Sequence, residues 1–185
     1  MDGVLGRYVF PSAIGWMAFE WGPHGLRRLV FGHARQEMAA RALSPTRSSW
    51  TGSTDEHPLI HRLQEYAEGE FDDFLDVDVD HFGRTPFATR VLEACRLIPP
   101  GRTLCYGDLA SRVRSPRAAR AVGQVMATNR VPIVVPCHRV VAACGRLGGF
   151  SAPGGLATKE RLLRQEARWQ TPLTIFEHSR EPAEW

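Results

Sequence analysis

The sequence predicts an α+β protein of two units, residues 1–85 and 86–185. Three observations carry that prediction. The first half opens with short apolar and aromatic runs of strand length, and the second is dominated by segments of helical periodicity. The charge also changes sign between them. Residues 1–85 hold 8 Arg against 13 Asp and Glu, a net of −5, and residues 86–185 hold 15 Arg and Lys against 7 acidic residues, a net of +8. The hydrophobic fraction of 43% and charged fraction of 23% are those of a globular protein able to bury a core. No run approaches the ~20 apolar residues of a membrane span, and the N-terminus lacks a basic segment followed by an apolar one, so an intracellular, cytoplasmic protein with no membrane partner is expected.

In chain order, "YVFPSAIGWMAFEWGPHGLRRLVFG" has apolar-aromatic runs broken at Pro11 and by "WGPHG", the pattern of an antiparallel hairpin. Residues 44 to 57, rich in Ser, Thr and Pro, read as a loop. "HPLIHRLQEYAEGEF" places Leu59, Leu63, Tyr66 and Ala67 on one helical face. "FLDVDVDHF" alternates, with Leu75, Val77 and Val79 on one side and Asp76, Asp78 and Asp80 on the other, which predicts a half-buried strand. Three alternate aspartates invite a metal reading, but His81 stands where a calcium loop needs Gly, so a solvated strand face is the better one. His57 and His61 sit four apart without a metal-binding context and read as surface histidines.

"TPFATRVLEACRLIPPG" predicts a helix with Phe87, Val91, Leu92 and Cys95 inward, closed by Pro99-Pro100-Gly101. "YGDLASRV" gives a short second helix through Leu109, Ala110 and Val113. "SPRAARAVGQVMATN" then starts a third, with Ser115 as N-cap and Pro116 in the first helical position. The last pair is a helix-turn-helix candidate. Ala118, Ala119, Ala121 and Gly123 leave the third helix nearly bare, flanked by Arg114, Arg117 and Arg120. Small residues permit close backbone approach to a narrow surface, either a minor groove or a neighbouring helix. Nucleic acid is the common partner of a basic half, and ordinary surface charge is the alternative.

"VPIVVPCHRVVAACG" sets Cys137 against His138 inside an apolar run. The four cysteines, Cys95, Cys105, Cys137 and Cys144, form no CxxC pair and match no zinc module, so three are expected to be buried small hydrophobes without a disulfide framework. A buried thiol becomes a nucleophile only with a base or positive charge beside it, and that base must itself be oriented. Neighbours on an extended chain point to opposite sides, so His138 reaches Cys137 only through a turn or a bridging water. A carboxylate is the usual group to hold the imidazole tautomer, and Glu160 and Glu166 on "TKERLLRQEA" are both candidates by periodicity. A structural Cys-His pair is the alternative on composition.

"PCHRVV", preceded by "NRVPIVV" and "RAARAVGQVM" and followed by "GGFSAPGGLATKERLLRQE", resembles the O6-alkylguanine-DNA alkyltransferase family, the methylated-DNA–protein-cysteine methyltransferases. "IPPGRTLCYGDLA" fits the same family, and the resemblance runs from about residue 86 to 167. The first half is similar only through "PSAIGWMAF" and "GLRRLVFG". The resemblance implies an N-terminal α/β domain of RNase H-like fold and a C-terminal helical, winged-helix-like domain with a helix-turn-helix. It implies DNA repair by direct reversal: a single-turnover transferase that moves the alkyl group of O6-alkylguanine, with O4-alkylthymine a second candidate, irreversibly to its own Cys137. No cofactor is needed, because the protein is the acceptor.

By the same resemblance His138 deprotonates the thiol through water, Glu166 orients His138, and Asn129 braces the turn between the DNA-reading helix and the active-site strand. Tyr106 presses on the target phosphate and approaches the base. Arg120 fills the gap left by the rotated nucleotide, since a buried thiol cannot reach a stacked base in line. Backbone groups of Cys137, Val140 and Ser151 hold the guanine edge, and the bare helix, with Arg117, becomes a minor-groove binder. The implied partner is double-stranded DNA bound by a monomer.

Two departures stand out. Phe150 occupies a position where the family often carries tyrosine, leaving only a ring to wall the pocket, and the following loop is two residues longer through Ala152-Pro153. No cysteine ligands for a zinc site occur in the first half, so no structural zinc is expected. A damage-sensing DNA-binding protein without transfer chemistry is the alternative function, and Cys137 argues against it. A cysteine hydrolase lacks a visible oxyanion hole, and a transcription factor responding to alkylation lacks a sensor module.

Overall fold

A computed structural model describes residues 5–44 and 57–169. The loop expected over 44 to 57 falls outside them apart from its two ends, as does the tail 171–185. Strands β1 (Gly6–Phe10), β2 (Trp16–Gly22) and β3 (Gly25–His33) form an antiparallel sheet in that order, extending the predicted hairpin by one strand. Tyr8 pairs with Phe19, and Phe19 with Leu29. The β2–β3 turn requires its glycine: Gly25 takes φ +105°, and a Cβ there would lie 2.3 Å from the Asp78 carbonyl oxygen. The sheet is covered on both faces. Helix α1 (Gln36–Leu43) buries Ala39 and Leu43 against Ala18, while Phe10, Met17, Phe19, Leu29 and Phe31 face the main core.

Helix α2 (Pro58–Glu68) buries the four predicted residues, Leu59, Leu63, Tyr66 and Ala67. His57 is not a surface histidine. Its Nδ1 accepts a hydrogen bond from the Leu59 amide at 3.2 Å, capping α2, and its ring packs among Tyr8, Phe19 and Trp21. His61 is exposed beside Glu65.

The strand predicted over Leu75–Val79 does not form. Phe74 adopts φ 54° and is buried, Leu75 is 47% exposed, and only Val79 makes an isolated bridge, to Leu26. The alternation misleads because two arginines claim the segment. Arg96 Nη2 donates to the carbonyls of Phe74, Leu75 and Val77 at 3.2, 3.0 and 2.7 Å, and Arg62 forks onto Asp72 and Asp76 at 2.7–2.8 Å. These contacts, with Phe74 in the left-handed region, hold the segment in a non-extended path. Asp76, Asp78 and Asp80 form no cluster among the described residues; the acidic group that does gather is Asp72, Asp73 and Asp76, with Arg62 as its cation.

The second half contributes α3 (Pro86–Arg96), capped by Thr85, then β4 (Leu104–Cys105), α4 (Tyr106–Arg112), α5 (Ala119–Ala127), β5 (Val140–Val141) and α6 (Leu156–Ala167). β4 and β5 pair in parallel. Val91, Leu92 and Cys95 are buried as predicted and Phe87 partly so. α4 and α5 pack on each other and on α3. Ser115 does not cap α5. The helix starts four residues later, because the Ala118 amide donates to the Ser115 carbonyl at 2.8 Å and closes a turn first. Arg114 takes φ 57° ahead of that turn. Buried residues from Phe10 to Leu162 form one continuous cluster joining both halves. Among the described residues no helix is long and apolar enough to cross a membrane.

Leu63 is fully buried in that cluster, so Leu63→Ala is expected to cost about 2–5 kcal/mol in denaturant unfolding; an unchanged midpoint would show that α2 is not part of the core.

Candidate active site

After α5, the Asn129 side chain takes over from helical hydrogen bonding. Its Oδ1 accepts from the Val131 amide at 3.1 Å and its Nδ2 donates to the Val135 carbonyl at 2.8 Å, clamping a turn whose Ile133 sits at φ 74°. A β-branched residue there is strained by roughly 1–3 kcal/mol, which the surrounding packing must hold. The turn delivers Pro136 and then a single 3-10 turn, Cys137–Arg139. This supplies the local irregularity required at the cysteine. Cys137 lines two cavities, while His138 and Arg139 are buried and line neither.

The buried side chains converge on Glu166 of α6. Its Oε1 accepts from Tyr66 Oη, His138 Nε2 and Arg139 Nη2, each at 2.8 Å, and its Oε2 from Arg139 Nε at 2.9 Å and the Gly101 amide at 3.4 Å. Geometry therefore selects Glu166 over Glu160, which pairs on the surface with Arg164. Burial alone raises the Glu166 carboxyl, but the hydrogen bonds from His138 and Arg139 and the charge of the Arg139 guanidinium outweigh it and hold the group well below the usual carboxylate range. Burial lowers His138 despite the nearby carboxylate, so the imidazole is neutral at pH 7. A neutral ring facing a carboxylate through Nε2 carries its proton there, which leaves Nδ1 as a basic lone pair. Nδ1 is buried and makes no hydrogen bond with any described residue.

Burial also raises the Cys137 thiol, against the Asn129 side chain, Lys159 and the amides of Cys137 and His138. The thiol is thus mostly protonated at neutral pH and needs a base, and these donors then stabilise the thiolate. Lys159 is buried and donates to the Val140 carbonyl at 2.6 Å.

Cys137 opens onto two cavities. One, of about 310 Å³, is lined by Tyr106, Gly123, Met126, Ala127, Gly149, Phe150 and Ser151. Half-buried Tyr106 packs so tightly on Gly148 that a Cβ there would fall 2.6 Å from its hydroxyl. The other, of about 610 Å³, lies between β3 and the loop at Phe150–Pro153. Phe150 walls both and packs on Phe31 of β3 at 6.4 Å between ring centres. α5 turns Val122, Val125 and Met126 inward and leaves Arg120 and Ala121 exposed. Ala118 and Ala119 are half-buried, Arg117 is exposed, and nothing lies within 4 Å of a Cβ placed on Gly123. Cys137, His138, Glu166, Asn129, Tyr106, Phe150 and Ser151 are therefore brought together, while exposed Arg117 and Arg120 line neither cavity. Val140 lines neither cavity, and its carbonyl accepts from Lys159.

Three site residues escaped the sequence reading. Arg139 had a visible signal, since an arginine inside a run of valines must find a buried carboxylate. Lys159, the single lysine of the chain, gave a weaker one. Tyr66 gave none, because its position on the apolar face of α2 reads as core.

Comparison with known proteins gives a consistent picture. Residues 86–168 match the family model described as the DNA-binding domain of 6-O-methylguanine DNA methyltransferase. The chain is 39% identical over 146 residues to a methylated-DNA–protein-cysteine methyltransferase of Mycolicibacterium paratuberculosis, covering 76% of this chain and 84% of that one. It is 41% identical over 151 residues to the protein of the same name from Salmonella typhimurium, covering 80% and 81%. Among solved structures it is similar to Mycobacterium tuberculosis OGT in complex with DNA, with TM-score 0.67 and 32% identity over 89% of this chain and 94% of that one. It is also similar to the O6-methylguanine-DNA methyltransferase of Pyrococcus kodakaraensis, with TM-score 0.66 and 28% identity over 86% and 98%. The mixed helix and strand fold is thus shared with these structures.

The buried cluster sets a pH dependence. In the unfolded chain a histidine binds a proton below about pH 6.5 and a glutamate below about 4.5, while folding holds His138 neutral and Glu166 ionised. Both groups make the unfolded state bind more protons in acid, so stability present at neutral pH is lost as pH falls. The loss begins near 6.5 with His138, at up to about 1.4 kcal/mol per pH unit, and continues below the glutamate's ordinary value. His138→Gln should flatten the upper part of that slope in urea unfolding between about pH 7 and pH 5; identical slopes in both proteins would mean the imidazole is not held neutral.

Proposed function

The chain belongs to the methylated-DNA–protein-cysteine methyltransferase family, and from that membership we propose that Cys137 is the residue to which it transfers the alkyl group during DNA repair. The observation that carries this assignment is the geometry of His138, whose Nε2 lies 2.8 Å from Glu166 Oε1 while its buried Nδ1 has no hydrogen-bond partner among the described residues, in the residue next to a buried thiol. Nδ1 takes the thiol proton through one water, and Asn129, Lys159 and two backbone amides receive the thiolate. The sulfur attacks the alkyl carbon of O6-alkylguanine as the carbon–O6 bond breaks. The bonding pair leaves with guanine, and the proton passes to its N1. The thioether product does not turn over, so one molecule performs one repair and no cofactor is consumed.

DNA is the partner. The guanine lodges in the smaller cavity, with Tyr106 at its mouth and Phe150 and Ser151 along its side. Backbone groups of Cys137, Val140 and Ser151 read the base edge. Reaching that cavity requires the nucleotide to leave the stack. Exposed Arg120, on the helix whose Ala118, Ala119, Ala121 and Gly123 leave room for a groove wall, fills the gap, with Arg117 on a phosphate. The relative from Mycobacterium tuberculosis forms a complex with DNA, which supports this reading. We divide the chain into an RNase H-like unit, 1–85, and a winged-helix-like unit with helix-turn-helix, 86–185; the family match starting at residue 86 supports that boundary. We place the protein as a monomer wherever the cell keeps its DNA: the cytoplasmic nucleoid, or the nucleus of a eukaryote.

Incubated with an O6-methylguanine duplex, the wild type should gain the mass of one methyl group, mapped to Cys137, and Cys137→Ala should gain nothing while still binding duplex. Loss of binding together with transfer would make the cysteine structural instead. Arg120→Ala should slow repair in duplex more than reaction with a free O6-alkylguanine base, and equal slowing of both would remove its role in the gap. Duplex binding should weaken as salt rises, because phosphates are neutralised on contact.

A further inference from the structure

The reaction proposed above occupies only the smaller of the two cavities that meet at Cys137. The larger, of about 610 Å³, lies on the β3 side, and the two share Cys137, Phe150 and Ser151 as a common wall. With the transferred alkyl group projecting into this larger chamber, we infer that Arg28 and Arg130 make the protein favour alkyl groups of several heavy atoms that end in an anion. The inference rests on Cys137 being the alkyl acceptor.

In-line displacement places sulfur, the reacting carbon and O6 on one line. Whatever else the carbon carries must therefore project sideways, away from both guanine and thiol. For a methyl group nothing projects. For a larger group the space bordering Cys137 beyond the Phe150–Ser151 wall is the chamber. Its walls combine two chemistries. Phe31, Pro132, Phe150 and Pro153 offer apolar surface for a chain or ring. Arg28 and Arg130 supply positive charge, and no carboxylate lines the chamber among the described residues.

The arginines are available. Glu20, across the strand register from Arg28, is committed to Arg7 at 2.9 Å, and Arg28 itself is half-buried with no hydrogen bond or ion pair to a described side chain. Arg130 is exposed and spends Nη1 on the Phe82 carbonyl at 3.2 Å, leaving its other donors unused among the described residues. A partly desolvated cation without a counter-ion gains most from an arriving anion. Pro153 of the loop closes the chamber against β3. A Cβ on Gly32 would lie 3.7 Å from Pro153, and Thr158 Oγ1 donates to the Pro153 carbonyl at 2.6 Å.

The transfer balances as before. With an O6-(4-carboxybenzyl) substrate, the bond between sulfur and the benzylic carbon forms as the bond to O6 breaks, guanine leaves with the electron pair and is protonated at N1, and the carboxylate is unchanged in the thioether.

The test uses the full chain and duplexes identical except for the group on O6: 4-carboxybenzyl, the near-isosteric 4-carboxamidobenzyl, and methyl. The rate of mass gain at Cys137 is read for each. In the wild type the carboxylate should react about tenfold faster than the carboxamide, the effect of one charge-assisted contact. Arg28→Met should bring that ratio toward one, Arg28→Lys should keep most of it, and Arg130→Met should lower it. A wild-type ratio of one or less overturns the inference without needing any variant, as does a ratio that survives loss of both arginines. If methyl is not transferred to Cys137 either, the proposed function itself fails; if methyl is transferred while carboxylate and carboxamide react alike, only the chamber's role fails.

Discussion

One buried carboxylate organises this protein. Glu166 is fully buried and accepts hydrogen bonds from Tyr66 on α2, His138 and Arg139 on the cysteine turn, and the Gly101 amide ahead of β4. Four segments distant in sequence thus meet at one charged group. A carboxylate removed from water is costly, and removing one partner of a buried pair typically costs about 3–5 kcal/mol. The fold therefore cannot relax any of the four segments independently. The Gln165 amide on the Tyr66 carbonyl and Trp169 Nε1 on the Gly69 carbonyl reinforce the same contact between α6 and α2.

That constraint sets the chemistry beside it. Arg139 keeps Glu166 ionised whether or not His138 is charged, because its two nitrogens bind both carboxylate oxygens. The ionised carboxylate in turn fixes the proton on His138 Nε2 and exposes the lone pair of Nδ1. Burial does the rest, raising Cys137 and lowering His138, so the pair rests as neutral thiol and neutral imidazole. Under the proposed function this is a poised state: no charge is stored in the pocket until a substrate is present, and donors stand ready around the sulfur. A reactive thiolate held permanently exposed would instead be open to oxidation.

The same economy of placement explains why one residue borders two cavities. The Cys137–Arg139 turn faces its histidine and arginine toward Glu166, so the thiol is left between α5 on one side and β3 on the other. Phe150 divides those spaces and leans on Phe31, so the first half of the chain helps shape a site whose reactive groups all lie in the second.

The sequence by itself determined a good deal. Helical periodicity placed α2 and α3 with their buried faces, because core burial dictates residue type every three to four positions. The resemblance carried by "PCHR" in its context pointed to Cys137, His138 and Asn129, where composition alone left a structural Cys-His pair open. Periodicity failed where long polar side chains intervened. Asp76, Asp78 and Asp80 read as a strand face until Arg62 and Arg96 took the segment's carboxylates and carbonyls, and Ser115 read as a cap until a preceding turn claimed its backbone. Periodicity left Glu160 and Glu166 open and the resemblance pointed to Glu166; only the tertiary structure decided the rest: the contacts that gather on Glu166, the part of Arg139 and of Tyr66 from α2, and the two cavities at the thiol. Residues 66, 139 and 166 are joined by a shared charge rather than by spacing. The partner of a buried charge is set by where distant segments meet in space, which no local pattern encodes.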